Sequence, residues 1–449
     1  MKYLSITIKK IALSCMLFFP LLALAQPKDN SPYSRFGIGD IVDDNFMASH
    51  FMGGLGGSFI DPYHVNIVNP ASLSYLGATS FEVGLHAELS RLSDGIHTPA
   101  SRWNGNLNYI SFAFPLQNAL NDILDRKKRN LNFGMGFTLM PYSNVGYDVS
   151  SYLYNENFGD YTVNYQGSGG SYQFLWSNGV RFKNFAFGLN LGYLFGKINN
   201  TTVIGFAENP ASFNSFLENN SSMSGFVWKA GLLYNLHLTK KDEDESPTDS
   251  FQKIVFGLYG NSTTTLNSTT NSIEGSLLNI SGLIIQDTFS LVNGEKKQGK
   301  LPSEFGFGVS YVNGNKFSIG VNYESTQWSK FNSDFVNNNL KNTFKLSFGG
   351  YYRPNYKSVS SYLSRVSYRL GTFYQKVPVE INQGEEIDDY GLTFGLGMPF
   401  FYQRKISHAN LGFTYGMRGT GTAIEERYFR ISFSFTFNDD EWFINKKYN

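Results

Sequence analysis

One stretch near the end of the chain limits its possible folds more than any other. From Phe429 to Asn438 the sequence alternates strictly, with Phe or Ile at one parity and Arg, Ser, Thr or Asn at the other. A period of two is typical of a β-strand with one apolar and one polar face. About ten residues suffice for a tilted strand to cross a bilayer, and an aromatic outer face with a small, hydroxylic inner face suits a barrel wall. The stretch therefore predicts a membrane-spanning strand.

The same alternation recurs along most of the chain, with turn signals between the runs. The predicted strands are Ser80–Arg91, Gly105–Pro115, Leu131–Tyr154, Tyr161–Phe182, Phe185–Phe206, Phe226–Leu238, Ile254–Thr265, Phe305–Val312, Phe317–Trp328, Phe344–Tyr352, Val366–Glu380, Tyr390–Tyr402, Ile406–Arg418 and Tyr428–Asn438. An even count brings both ends of the barrel to one side, as bacterial barrels require. We predict an all-β fold, a transmembrane antiparallel β-barrel of about 14 strands over residues 79–438.

The charge content fits a lipid environment. Charged residues make up 16% of the 449 residues and the formal net charge is +1, whereas soluble domains usually have about 25% charged residues. The near-zero net charge argues against nucleic acid as a partner.

The N-terminus predicts export. Three lysines precede the apolar run 11–22, and Ala23-Leu24-Ala25 forms a small-x-small cleavage site, so residues 1–25 have the pattern of a cleaved signal peptide. The single cysteine, Cys15, lies within it, which leaves the mature chain without disulfides or Cys-ligated metals. Export without a later apolar run long enough for a spanning helix predicts a periplasmic β protein or a barrel in the outer membrane of a Gram-negative bacterium.

Residues 26–78 lack the alternation of the predicted strands and contain glycines and signals for short helices instead. Gly53, Gly54, Gly56 and Gly57 form a glycine-rich patch, and in Asn69-Pro70-Ala71 the Asn is a helix cap with Pro at the first helical position. This segment is either an ordinary N-terminal extension or a hatch (plug) folded inside the barrel. Within it, Arg35 is expected to pair with an inward carboxylate such as Glu82. Residues 439–449 are predicted to be a periplasmic tail.

The connections between strands fall into two sets. Tight turns at 183–184, 313–315 and 403–405 lie on the side of the N-terminal segment, and long connections at 206–225, 266–304, 329–343 and 381–389 lie on the other. Short periplasmic turns and long outer loops are the asymmetry of outer-membrane barrels. Two near-side connections are longer: 116–130, with helical spacing, and 239–253, with a charge run.

The inward faces contain small residues and few charges. They include Gly134, Gly136, Thr138, Gly188, Asn190, Gly192, Gly306, Gly308, Ser310, Gly391, Thr393, Gly395 and Gly397. An ion-selective pore generally has rings of charged residues. Glycine instead lets another backbone approach closely, or eases the curvature of the sheet. Both explanations stand at this point.

Enzymatic function has little support. The six histidines lack metal-ligand spacing, and neither a G-x-S-x-G elbow nor a P-loop occurs. We therefore expect no catalytic residue, metal or cofactor. His86 and Glu88, inward on the first strand, are expected to be hydrogen-bonded residues of the wall.

Together, the export signal, the hatch-like segment with Asn69-Pro70-Ala71, about fourteen strands and the aromatic last strand resemble the FadL/TodX family. These are outer-membrane transporters of long-chain fatty acids and other hydrophobic molecules. The resemblance places Asn69, Pro70 and Ala71 in a hatch near a kink of the third strand, which here contains Pro141, Tyr142, Ser143 and Asn144. Proline lacks a ladder donor, so Pro141 marks either a lateral opening toward the bilayer or a bulge without a gate.

The resemblance also implies a capture groove on the third and fourth outer loops. The third has Phe213, Phe216 and Leu217, with the spacing of one helical face, and the fourth has Leu277, Leu278, Ile280, Leu283, Ile284 and Ile285. Exposed apolar residues usually mark an interaction site, although the two loops could instead pack on each other as a lid.

Two functions follow from the sequence. The first is diffusive uptake of a hydrophobic small molecule through a hatch-gated lumen. The alternative is a structural or secretion-accessory barrel that docks other proteins. The expected partners are the hydrophobic ligand, outer-membrane lipid and, during biogenesis, the barrel assembly machinery.

Overall fold

A computed structural model describes residues 31–117, 121, 130–157, 159–206, 213–239, 251–280, 283–332, 340–381, 385–402 and 405–442. The strands are β1 (Asp40–Ile41), β2 (Thr79–Ser93), β3 (Ala100–Pro115), β4 (Leu131–Asn155), β5 (Gly159–Phe182), β6 (Phe185–Phe206), β7 (Asn214–His237), β8 (Gln252–Asn261), β9 (Thr264–Ile280), β10 (Leu283–Leu301), β11 (Glu304–Asn313), β12 (Phe317–Thr326), β13 (Thr343–Tyr352), β14 (Ser367–Ile381), β15 (Glu385–Tyr402), β16 (Lys405–Arg418) and β17 (Glu425–Asp439). The predicted signal peptide and residues 443–449 of the predicted tail lie outside the described residues.

Fourteen of these strands form a closed antiparallel barrel. They are β2–β8 and β11–β17, and the ring closes where β17 pairs with β2 and where β8 pairs with β11. The predicted fold is confirmed. The described helices are short, and none of them is long and apolar enough to span a membrane.

The hairpin β9–β10 continues two wall strands beyond the barrel. Pairing of β8 with β11 ends at Asn261 and Glu304, and pairing of β9 with β10 starts at Thr264 and Leu301, after a break of two residues in each strand. On its other side β9 pairs with the first half of β7. The long outer loops expected at 206–225 and 266–304 are therefore wrong, because most of these residues are in paired strands.

These pairings create a six-stranded sheet in the order β4, β5, β6, β7, β9, β10. We call it the protruding sheet; it consists of 146–155 of β4, 159–169 of β5, 198–206 of β6, 214–225 of β7, and all of β9 and β10. On β6, the outward side chains are apolar up to Phe195 and polar from Lys197 to Thr201. Phe195 pairs with Tyr172 and Tyr193 with Phe226, so an aromatic row separates the lipid-facing wall from the protruding sheet.

The last strand has the face pattern that its sequence predicts. Phe429, Phe435 and Phe437 are exposed on the outside, whereas Ser432, Ser434 and Thr436 are buried on the inside. The aromatic side chains therefore face the surroundings of the barrel and do not form a dry interior.

The N-terminal segment, residues 31–78, lies inside the barrel. Its short helical turns are Pro32–Arg35, Met47–His50 and Pro70–Tyr75. The Asn69 side chain accepts a hydrogen bond from the Ala71 amide, which is the cap that the sequence predicts. Phe46, Phe51 and Leu73 of this segment form one buried cluster with side chains of the wall.

Candidate functional site

The glycines of the wall meet the N-terminal segment at close range. A Cβ added at Gly188 would overlap the backbone of Pro70 and Ala71, and one added at Gly257 would overlap the backbone of Gly57. Close approach of a second backbone is therefore the physical reason for glycine at these two positions.

The glycine-rich patch itself makes specific contacts with the wall. The Gly53 amide donates to the Thr393 hydroxyl at 3.0 Å, and the Gly57 amide donates to the Asn322 side-chain oxygen at 3.1 Å. Gly53 and Gly54 have positive φ, at 73° and 94°, which glycine adopts at little cost. Gly56 lies against Val68.

Asn69 connects the segment to two strands of the wall. Its side-chain amide donates to the Gly57 carbonyl at 2.8 Å, the Leu232 carbonyl at 3.1 Å and the Leu258 carbonyl at 3.3 Å. It is fully buried. These contacts join the segment to β7 and β8, but whether the segment moves as a hatch stays a prediction.

Three acidic side chains of the segment bind three cations around the lumen. Asp40 binds Arg418 of β16 at 2.6 Å, Asp43 binds Lys345 of β13 at 2.5 Å, and Asp44 binds Lys229 of β7 at 2.8 Å. Because the three strands lie on different sides of the barrel, these ion pairs anchor one short stretch of chain in several directions.

Further carboxylates surround these cations. Arg418 lies 3.4 Å from Asp389 and 3.7 Å from Glu426, Lys229 lies 2.8 Å from Glu304, and Arg430 lies 2.7 Å from Glu88. The expectation of few lumen charges is therefore wrong. No strand contributes more than two of these charged residues, and only the closed barrel brings them together.

This environment shifts the pKa of two groups of the segment. Burial would raise the pKa of the Asp43 carboxyl, but the Lys345 ammonium beside it outweighs burial and lowers that pKa. Burial, together with the positive charge of Arg430, lowers the pKa of His50 to about 3. His50 is therefore neutral at physiological pH, in contact with the Thr414 hydroxyl at 3.3 Å.

The strand with Pro141 contains a bulge, and the segment pairs with it. The register between β4 and β5 shifts between Pro141 and Ser143. On the inner side, β1 pairs Asp40 with Asn144 and Ile41 with Ser143, and the Val42 amide donates to the Tyr142 carbonyl at 3.0 Å. The bulge thus gives the segment a backbone to bind.

A seam in the wall lies beside this bulge. The pairing of β3 with β4 covers only 110–115 and 134–139. On this side the described backbone of β3 has no strand partner before Ile110, and that of β4 pairs beyond Leu139 only with β1, at Ser143 and Asn144. An amide contact between Asn106 and Asn144, at 3.2 Å, crosses the seam. A lateral path to the bilayer at this place stays a prediction.

The expected partner of Arg35 is wrong. The Arg35 guanidinium lies 3.5 Å from the centre of the Tyr165 ring, and Glu82 instead accepts a hydrogen bond from the Tyr109 hydroxyl at 2.6 Å. His86 contacts Asn108. The described residues contain no group of three or more metal-ligating side chains that could hold an ion.

The residues expected in the capture loops lie in the protruding sheet or beside it. Phe213 is exposed just before β7, Phe216 and Leu217 are in β7, and Leu277, Leu278 and Ile280 are in β9. Leu283, Ile284 and Ile285 are in β10 and pair with the end of β9. The helical face expected for 213–217 is wrong, because 214–217 pairs with β9 as a strand. Ligand capture by these residues stays a prediction.

The fold is similar to that of several outer-membrane channels. The Ralstonia pickettii toluene transporter TbuX matches with a TM-score of 0.54 at 12% identity, over 88% of this chain and 99% of that one. The Pseudomonas putida toluene transporter TodX and a Pseudomonas aeruginosa FadL homologue each match with a TM-score of 0.52 at 14% identity. They cover 88% and 89% of this chain and 99% of their own. The FadL-like barrel that the sequence resembles is thus confirmed as a fold.

The comparison with protein families covers more of the chain. A family model described as BamG matches residues 7–449, almost the whole chain. No curated protein matches the chain in sequence.

Proposed function

Because the chain belongs to the BamG family, whose name points to the barrel assembly machinery, we propose that it is an accessory barrel of that machinery. In this proposal the barrel fixes the protein in the outer membrane, and the protruding sheet docks a protein partner. This is the secretion-accessory alternative that the sequence left open.

The observation that carries the proposal is the pair of free edges of the protruding sheet. β10 pairs with β9 on one side, and on its other side the described backbone shows one bridge, from Lys300 to Asn332. At the opposite edge, β4 has no strand partner on its β3 side beyond Asn144, where its pairing with β1 ends, in the described backbone. A free strand edge is a template for a strand of another chain.

Exposed apolar side chains accompany both edges. Tyr152 and Tyr154 near the end of β4 are 80% and 71% exposed, and Phe289 and Leu291 of β10 are 64% and 57% exposed. β4 has 25 residues, and about ten cross the bilayer, so its far end extends roughly 30 Å past the membrane. Apolar side chains in water are typical of a protein interaction site.

The test is co-purification from gently solubilised outer membranes. The protruding hairpin is shortened by replacing residues 268–297 with an Asn-Gly turn, and the full chain is the reference. We expect the full chain to retain the barrel assembly machinery and the shortened chain to lose it. A heat-modifiable shift on electrophoresis checks that both barrels are folded. Equal retention by two folded proteins would contradict the proposal.

Uptake of hydrophobic small molecules, fatty acids among them, is the second candidate. It is supported by the fold shared with the toluene transporters and by the seam beside Pro141. In this case the ligand enters between apolar side chains of the outer face, the N-terminal segment shifts, and the ligand leaves through the seam.

A reducible crosslink across the seam tests this route. Asn106→Cys with Asn144→Cys puts one thiol on β3 and one on β4 in a chain whose one native cysteine is Cys15, and a short bis-methanethiosulfonate joins the two thiols. If the seam is the route, the crosslink lowers uptake of radiolabelled fatty acid, and reduction restores it. Unchanged uptake in the crosslinked protein would exclude the seam as the path.

A further inference from the structure

A second interruption of the wall lies at β7, three strands along from the Pro141 bulge in β4. β7 pairs with β9 up to Gly225 and with β8 from Ala230 onward, so residues 226–229 are outside both ladders. The breaks at 262–263 and 302–303 lie beside them. Backbone groups next to hydrocarbon need partners, so a gap at this height favours an occupant with polar groups of its own.

An outward groove of about 850 Å³ covers this interruption. Its lining includes Trp228, Ala230, Leu232, Leu258, Gly260 and Phe305. The polar residues Asn261, Ser303 and Gln327 line its end nearest the protruding sheet. Its size is that of a small-molecule site, and its polar end suits a lipid headgroup, with the acyl chain along the apolar part.

A small charged pocket lies behind the groove. It measures about 60 Å³ and shares Trp228, Asn261 and Glu304 with the groove. Inside it, Lys229 lies 2.8 Å from both Asp44 and Glu304. Glu324 accepts a hydrogen bond from the Tyr259 hydroxyl at 2.8 Å on the same side of the lumen. One ammonium among three carboxyl groups leaves carboxyl oxygens as acceptors for a second ammonium.

We propose that this groove binds one membrane lipid with an ammonium headgroup. The acyl chain lies along the apolar floor formed by Leu232, Leu258 and Phe305, and the ammonium lies at the interruption near Glu304. Since Lys229 joins Glu304 to Asp44 of the N-terminal segment, the bound lipid is in electrostatic contact with the chain inside the barrel.

The experiment is native mass spectrometry of the full chain from nanodiscs with equal amounts of phosphatidylethanolamine and phosphatidylglycerol. We expect one retained phosphatidylethanolamine, favoured roughly tenfold over phosphatidylglycerol by a charge-assisted hydrogen bond. Ala230→Phe fills the groove and abolishes retention. Ala87→Phe, the same change at an outward position of β2, leaves retention unchanged.

Glu304→Gln tests the headgroup and is expected to reduce the preference toward one while the acyl chain still binds. Heat-modifiable mobility checks folding of every variant. Equal retention of the two lipids by the native chain, or unchanged retention in folded Ala230→Phe, would overturn the proposal. Retention of a free hydrophobic compound in place of any lipid would overturn it as well.

Discussion

Each of the strands β4 to β7 runs through two regions, the membrane wall and the protruding sheet. The two regions differ in the polarity of their outward side chains and in what covers the strands. In the membrane wall, outward residues such as Leu189 and Phe195 are apolar, and the inner side is filled by the N-terminal segment. In the protruding sheet the outward residues of the same strand include Asn199 and Thr201, and in the described backbone neither sheet edge has a strand partner beyond the bridge from Lys300 to Asn332. One set of strands therefore both anchors the protein and presents a surface to partners.

The largest contrast is expected from the charges inside the wall. Arg418→Ala leaves Asp40, Asp389 and Glu426 without their cation, and removing one partner of a buried ion pair costs about 3–5 kcal/mol. The control is Arg427→Ala, which removes a surface pair with Glu425 and is expected to change stability little. Urea-induced unfolding in lipid vesicles, followed by Trp fluorescence, measures both. Equal stability of the two variants would show that the lumen pairs do not anchor the segment.

A lysine on the outer face of β6 tests which part of the strand faces lipid and which part faces water. Leu189→Lys puts an ammonium on the lipid-facing side of β6, where the expected cost is about 2–4 kcal/mol, falling toward zero outside the bilayer. Thr201→Lys, twelve positions along the same strand, is expected to be near neutral. The same unfolding experiment compares them. A large cost at Thr201 would place the protruding sheet in the membrane.

Glycine substitution compares a closely packed inward position of the wall with an open position of the protruding sheet, both on β6. A Cβ at Gly188 meets the backbone of Pro70 and Ala71, whereas a Cβ at Gly205 meets only Asn214, at 3.5 Å. Gly188→Ala is expected to cost about 1–3 kcal/mol, as overpacking does, and Gly205→Ala to be close to neutral. If Gly188→Ala were neutral in the intact chain, the segment would not be seated against β6.

The two regions also differ in how far the sequence predicts them. The sequence predicts the wall because apolar residues alternate with small polar ones, as from Phe429 to Phe437, and this spacing is typical of a strand with one face toward lipid. Residues 266–304 are rich in Asn, Ser and Thr and lack clear alternation, so the sequence predicts a loop where the structure has most of β9 and β10. The ion pairs of Asp40, Asp43 and Asp44 depend on strands that are distant in sequence, and no local pattern reveals them. Proline in a strand predicts the bulge at Pro141. No sequence pattern predicts that β1 pairs with β4 beside this bulge.

The smallest expected effect is a pH dependence inside the barrel. The pKa of His50 is about 3 in the folded protein, below its usual value of 6.5, so the unfolded chain binds a proton first as the pH falls. Asp43, Lys345, Arg430 and His86 face His50. From pH 6.5 downward, His50 is expected to cost up to about 1.4 kcal/mol of stability per pH unit. His50→Gln is expected to flatten this slope in unfolding curves at pH 7.5, 6.5 and 5.5, and an unchanged slope would assign it to other groups.

The most direct test of the account is photo-crosslinking in living cells from the two regions. A photoreactive phenylalanine replaces Phe289 in the protruding sheet in one strain and Phe187 in the lipid-facing wall in another. The account predicts protein adducts that contain components of the barrel assembly machinery from position 289, and lipid adducts from position 187. Lipid adducts alone from position 289, or the same protein adducts from both positions, would contradict it.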